Sequence, residues 1–241
     1  MRPAALATSL FALALIAADA FAGDTASLEI LGFSQDGAVF AFEEYGVQDG
    51  SGFPYSNRYY IDTRTDRFLP ETPVRVRLDD EAATLDAART EARERGEKFV
   101  TQSELSANRG FTAGANAVTE LSTDPFRLAV NPRPVFPAID PMLEFRLDEI
   151  PIPVPEPCAS QGEARGFRLI RIGTADGEQS RLVHEDKSIP RSRGCPNGYR
   201  LGAIQTFSGD GSLASYAVLI SVRQYGFEGP DHRWIAVTGR F

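Results

Sequence analysis

Short apolar runs with a period of two, separated by Asp-Gly turns, constrain this chain more than any other feature it has. Residues 213–226, LASYAVLISVRQYG, place Tyr216, Val218, Ile220 and Val222 on one face. Residues 38–45, AVFAFEEY, are apolar on both faces, Val39 and Ala41 on one and Phe40 and Phe42 on the other. That is the pattern of a strand covered from both sides. Asp36-Gly37 and Asp176-Gly177 stand where a tight turn needs positive φ. In SLEILGF (27–33) alternation predicts Leu28 and Ile30 on one face, Leu31 and Phe33 on the other. Further strands are read at 57–68, 143–150, 166–173, 180–186, 199–207 and 233–241.

One helix is predicted, at 79–96 (DDEAATLDAARTEARERG), with Asp79 or Asp80 as its cap and Gly96 as its stop. Leu85, Ala88 and Ala92 make a thin apolar stripe, so the helix reads as lying on a surface with its charges in solvent. Residues 97–124 carry no clear signal, and SANRGFTAGANA reads as loop. Prolines recur from Pro125 to Pro157, which suits edge strands and extended crossings. Phe126, Phe136, Ile139 and Met142 make that stretch too apolar for a free tether. The expected fold is mainly β, an irregular β-sandwich or multi-strand β assembly with one surface helix.

Residues 1–22 read as a secretory signal: Arg2, a small-apolar run from Leu6 to Ala18, then Ala20-Phe21-Ala22 as a cleavage site. The run is too short to span a bilayer comfortably, and no later segment approaches a membrane span. The expectation is a single mainly-β domain over 23–241, periplasmic or secreted. In an oxidising compartment Cys158 and Cys195, the only cysteines, are expected to pair. The formal charge of −8, with no strong basic cluster, excludes a nucleic-acid partner.

FSQDG (33–37) has an echo in FSGDG (207–211), and EEYGVQDG (43–50) in RQYGFEGP (223–230). The F-S-x-D-G turn resembles the Tol–Pal-type propeller-blade repeat, although Gln35 and Gly209 replace its usual proline. An incomplete β-propeller-like fold is therefore the alternative. A closer resemblance covers nearly the whole mature chain. GFSQDGAVFAFEEYGVQDGSGFPYS, SRGCPNGYRL (192–201) and YGFEGPDHRWIAV occur in the order found in bacterial predicted secreted proteins grouped as a domain of unknown function, number 2259. The resemblance implies export and brings no activity to any residue.

The chemistry-bearing residues are few. His184 and His232 form no His-x-x-x-His pair. Ser51 lacks the G-x-S-x-G context and an evident base. No phosphate-binding glycine motif is present. Glu43 and Glu44 are adjacent on a strand and point to opposite faces. Glu44 with Asp49, or either with Glu228 or Asp231, would make a carboxylate pair only if the two Tyr-Gly loops converge. The candidate binding loops are Tyr45, Gly46, Asp49, Gly50, Ser51 and Gly52, with Tyr225, Gly226, Glu228 and Asp231. Tyr45, Phe53, Tyr55, Phe227 and Trp234 offer aromatic surface. Calcium is the one cation that Glu43, Asp49 and Asp231 would suit; no cofactor is otherwise expected. The sequence thus favours a non-catalytic binding or envelope-associated module, its partner an envelope protein or small ligand. The alternative is a periplasmic hydrolase using carboxylates of the same loops.

Overall fold

A computed structural model of the chain describes residues 23–226 and 229–241. The predicted signal at 1–22 and the candidates Phe227 and Glu228 lie outside the described residues. In chain order the strands begin with β1 (Ser27–Phe33), β2 (Val39–Val47), β3 (Pro54–Asp62), β4 (Arg67–Phe68) and β5 (Val74–Arg77). Two helices follow, α1 (Leu85–Gly96) and α2 (Gln102–Ala107). Then come β6 (Phe111–Ala115), β7 (Arg127–Val130), β8 (Leu143–Pro151), β9 (Arg165–Ile172) and β10 (Arg181–Glu185). The long strands β11 (Pro196–Gly209), β12 (Ser212–Tyr225) and β13 (Pro230–Arg240) close the chain.

These strands form three antiparallel sheets. The first runs β1-β2-β3-β4, with β5 also on β3; the second runs β10-β9-β8-β7; the third runs β13-β12-β11-β6. The third sheet is the middle layer, and β12 shows why. Tyr216, Val218, Ile220 and Val222 pack with Phe145, Leu147, Phe167 and Leu169 of the second sheet. The alternate residues Ala217 and Leu219 pack with Phe33, Phe40, Phe42 and Tyr59 of the first. A strand apolar on both faces must be covered on both, and here it is. The second sheet's outer face is charged: in β8, buried Leu143, Phe145 and Leu147 alternate with Glu144, Arg146 and Asp148, of which Arg146 is exposed and Glu144 is buried in a pair with Arg127.

The helices cover the first sheet from outside. Leu31, Ala41, Tyr60 and Val74 meet Val100 and Leu105, while Val76 meets Ala88 and Ala92 of α1. The β2 alternation therefore holds, with Phe40 and Phe42 facing the middle sheet and Ala41 facing the helices.

Several expectations are corrected. The helix begins at Leu85 because Thr84 accepts from the Ala87 N–H at 3.1 Å. Asp79 instead pairs with Arg77, and Asp80 accepts from Ala82 N at 2.9 Å in the preceding turn. Gly96 does not stop the helix through positive φ; a Cβ there would lie 2.1 Å from the Tyr60 hydroxyl. The helix does lie on the surface, with Ala88 and Ala92 turned inward and Asp86, Arg93, Glu94 and Arg95 exposed, but one of its charges is not in solvent. Its Arg89 reaches under the helix to buried Glu43 at 2.8 Å and also pairs with Glu29. Residues 97–124, read as signal-poor, hold α2 and β6. Phe33 does not share a face with Leu31. A bulge between Ile30 and Gly32, where φ is +132°, turns Phe33 to the side of Leu28 and Ile30. The sheets stack face to face, which removes the propeller alternative. Phe136, Ile139 and Met142 of the proline-rich stretch are exposed rather than core. That segment is tied down by Arg133, bonded to Asp140 at 2.5 Å and to the Gly211 carbonyl at 2.6 Å. No helix among the described residues is long and apolar enough to cross a membrane.

The two F-S-x-D-G turns lie side by side. Phe33 and Phe207 stack with centroids 5.2 Å apart, and the Gly37 carbonyl accepts from Ser215 Oγ at 2.7 Å.

Candidate functional site

Residues 43–56 form a hairpin end. Gln48 N donates to Phe53 O at 2.9 Å and Gly52 N to Gln48 O at 3.0 Å, with Gly50 and Gly52 at positive φ. Ser51 Oγ contacts Gln48 Oε1 and the Phe53 N–H, both at 3.3 Å. Tyr45 lies under the Arg89 guanidinium, 3.8 Å from its ring centroid, and Gly46 lies against Tyr55. One carboxylate oxygen of Asp49 is buried without a partner among the described residues. In the other stretch, Tyr225 is exposed and pairs with Pro230, and Gly226 abuts Asp231.

No hydrogen bond or ion pair among the described residues joins Tyr45–Gly52 to Tyr225, Gly226 or Asp231. A strap of residues 24–26 links the strands behind them. Ala26 N donates to His232 O at 3.0 Å and His232 N to Asp24 O at 2.9 Å. Asp231 accepts from Asp24 N at 3.0 Å. The Asp24 carboxylate accepts from Tyr55 Oη at 3.0 Å and Arg233 at 2.6 Å. Burial raises the Asp24 carboxyl above its ordinary value despite the pull of Arg233, and burial pushes the Tyr55 hydroxyl well up.

Glu43 and Glu44 part as strand geometry requires. Glu43, fully buried on the helix side, accepts from Ser56 at 3.0 Å, Arg58 at 3.2 Å and Arg89 at 2.8 Å. Glu44 faces the middle sheet. It accepts from Tyr59 Oη at 2.5 Å, Asn57 Nδ2 at 3.1 Å and the Trp234 backbone N–H at 2.8 Å.

That last bond marks the larger feature. Glu44 and Trp234 line a cleft of about 590 Å³ between the first and second sheets. One wall is Phe42, Asn57, Tyr59, Asp66, Phe68 and Arg75; the other is Phe167, His184 and Pro190–Gly194. The floor includes Trp234, Ile235, Ala236 and Val237. Consecutive strand residues point to opposite faces. A cavity touching four in a row therefore runs along the strand's edge.

The edge of β13 is partly capped. Asp66, in a turn with φ of +54°, accepts from Thr238 N at 2.7 Å and Thr238 Oγ1 at 3.0 Å. With the strap on His232 and Glu44 on Trp234, the outward N–H groups at 232, 234 and 238 are satisfied. Period two points Ala236 the same way, and its N–H has no partner among the described residues. Inward-pointing acids on an edge strand guard it against stray pairing. Burial raises the Asp66 carboxyl despite those bonds to Thr238. Burial and the neighbouring Glu44 push the Tyr59 hydroxyl up.

The far wall is built on the disulfide. Cys158 and Cys195 are joined, with Cα atoms 5.6 Å apart, and Cys195 follows the wall segment directly. Arg193 pairs with Asp186 and contacts Tyr199 Oη at 3.3 Å. His184 stacks on Phe167 at 4.6 Å and its Nε2 lies 3.0 Å from Asp186 Oδ1. Burial alone would raise the Asp186 carboxyl, but His184, Arg193 and the Phe167 N–H hold it below the ordinary range. Ser192 shares the cleft, yet no hydrogen bond among the described residues joins its hydroxyl to His184. Among the described residues no group of three or more His, Cys, Asp and Glu is placed to hold a metal ion.

Sequence reading marked Glu44 and Trp234, named His184 only to set aside a metal pair and Ser192–Gly194 only as part of a family motif, and missed Asp66, Arg75, Pro190 and Arg191. Only the pairing of Cys195 with a distant partner hinted that its neighbours are held against the body. A family model described as "Predicted secreted protein (DUF2259)" matches residues 41–240. No curated protein and no solved structure matches the chain significantly.

Proposed function

The chain belongs to the DUF2259 family of predicted secreted proteins, and we propose that it acts after export as a non-catalytic binding protein whose ligand occupies the cleft over β13. On this reading residues 1–22 are a removed signal, 23–241 one domain, and Tyr45–Gly52 with Tyr225, Gly226 and Asp231 frame the strap end of the molecule beside the cleft. The carrying observation is how the cleft's acids are used. Glu44 and Asp66 both accept from backbone N–H groups of β13, so neither is a free acid or base. Aromatic walls with a few polar groups are the composition of a ligand site. The alternative, a hydrolase working through carboxylates of the Tyr-Gly loops in the manner of a glycosidase, would need two of them to converge. Asp231 is held by Asp24 N, and Glu43 lies on the opposite face of its sheet under α1.

Trp234 is the only tryptophan and reports directly on the cleft. The mature protein should be titrated with envelope-derived small molecules and peptides, following its fluorescence, with mass spectrometry of the recovered ligand. The expected result is a fluorescence change, an unaltered ligand, and loss of both in the cleft-filling variant Ser192→Phe. Chemical conversion of the ligand, or binding that Trp234 and Ser192→Phe do not sense, would overturn the reading.

A further inference from the structure

Resting on that reading, we propose that the cleft takes an extended peptide bearing acidic side chains, which adds as a strand to the free edge of β13 at Ala236. Three observations converge on it. First, the cavity floor is a strand edge, since Trp234, Ile235, Ala236 and Val237 all line it. A residue on an antiparallel edge presents its N–H and C=O together. Ala236 thus offers one complete pairing position, bounded by the Glu44 cap on Trp234 and the Asp66 cap on Thr238. The span from 234 to 238 is about 13 Å at the rise of a strand, room for a segment of about four residues.

Second, the two walls match the period of a strand. Successive side chains of an added segment point alternately to the two faces. One set meets Phe42, Tyr59 and Phe68 of the first sheet; the other meets Phe167 and the 190–194 wall. Main-chain bonds would then supply affinity and the walls selectivity, as in other strand additions.

Third, the exposed charges of the lining that lack an ion partner among the described residues are positive. The cleft's acids are engaged by backbone, and Arg193 and Arg233 are paired with Asp186 and Asp24. Arg75 and Arg191 stand exposed on opposite walls and make no ion pair among the described residues. Each wall therefore carries one cation for an alternating acidic side chain, which planar guanidinium groups bind well.

The probe is the blocked peptide Ac-Val-Glu-Glu-Val-NH2, whose adjacent glutamates point to opposite walls, compared with its lysine counterpart and with a set of versions N-methylated at one amide each. Binding to the mature protein is read from Trp234 fluorescence and from amide shifts along β13. The expected result is that the acidic peptide binds and shifts Ala236. At least one single N-methylation, at the amide that meets Ala236, should weaken it about five- to tenfold, the worth of one backbone hydrogen bond. The surface variant Arg75→Glu/Arg191→Glu should reverse the preference between the Glu and Lys peptides. If no N-methylated version is weaker, if the Lys peptide binds equally well, or if the acidic peptide fails to bind at millimolar concentration, the inference is overturned. Should small non-peptide ligands still bind in a Ser192→Phe-sensitive way, the broader binding reading survives that failure; if nothing binds there, both fall.

Discussion

At the scale of single residues, the two adjacent glutamates show how strand geometry assigns roles. Glu43 bridges Arg58 and Arg89 beneath α1, with Glu29 supplying the second countercharge, while Glu44 completes the edge of another sheet. Glu44→Ala would leave a backbone N–H and a tyrosine hydroxyl without their acceptor. A loss of about 2–4 kcal/mol in denaturant unfolding is expected, with Glu44→Gln recovering much of it. Asp186 gives a pH-dependent counterpart. Its carboxyl is held below the ordinary range, so its stabilisation is fully present above the unfolded value and is lost as pH falls from there through the lower folded value. Asp186→Asn, which leaves buried Arg193 without its countercharge, should cost about 3 kcal/mol near neutrality. The deficit relative to the native chain should shrink below about pH 4 in pH-resolved melts. The Glu43/Glu44 split was legible in the sequence because period two is rigid. The bonds each carboxylate makes were not, since they come from residues up to 190 positions away.

At the scale of elements, legibility followed local chemistry. Strands with clean alternation, such as β8 and β12, fall where the pattern placed them. The bulge in β1 was hidden, because a single inserted residue leaves composition unchanged while reversing every face after it. Gly32→Ala tests the bulge. Its Cβ would come 2.3 Å from the Leu105 carbonyl, at a φ that L residues avoid. A loss exceeding that of an ordinary glycine-to-alanine change, about 2 kcal/mol or more, is expected in chemical denaturation. The disulfide belongs to this scale too, since it fixes the 190–194 wall. Cys158→Ser/Cys195→Ser should lower stability by about 4 kcal/mol in the chain-entropy account. It should also broaden the amide signals of Arg191–Gly194 more than those of α1.

At the scale of the whole molecule, three stacked sheets bring the edge of the middle one into a slot between its neighbours. That arrangement was not readable from the chain. Sequence marks which faces of a strand are apolar, but sheet order, and hence which strand is left at an edge, depends on pairings among distant segments. The Tyr-Gly stretches drew notice through their turn residues, whereas the cleft is assembled from nine separated stretches with no shared motif. The central claim is that this edge is guarded at two points and open between them. Residue-resolved amide hydrogen exchange on residues 23–241 tests it most directly. Strong protection is expected at Trp234 and Thr238, whose N–H groups are held by Glu44 and Asp66, and fast exchange at Ala236 between them. Equal protection at all three, or an exchanging Trp234 and Thr238, would contradict it.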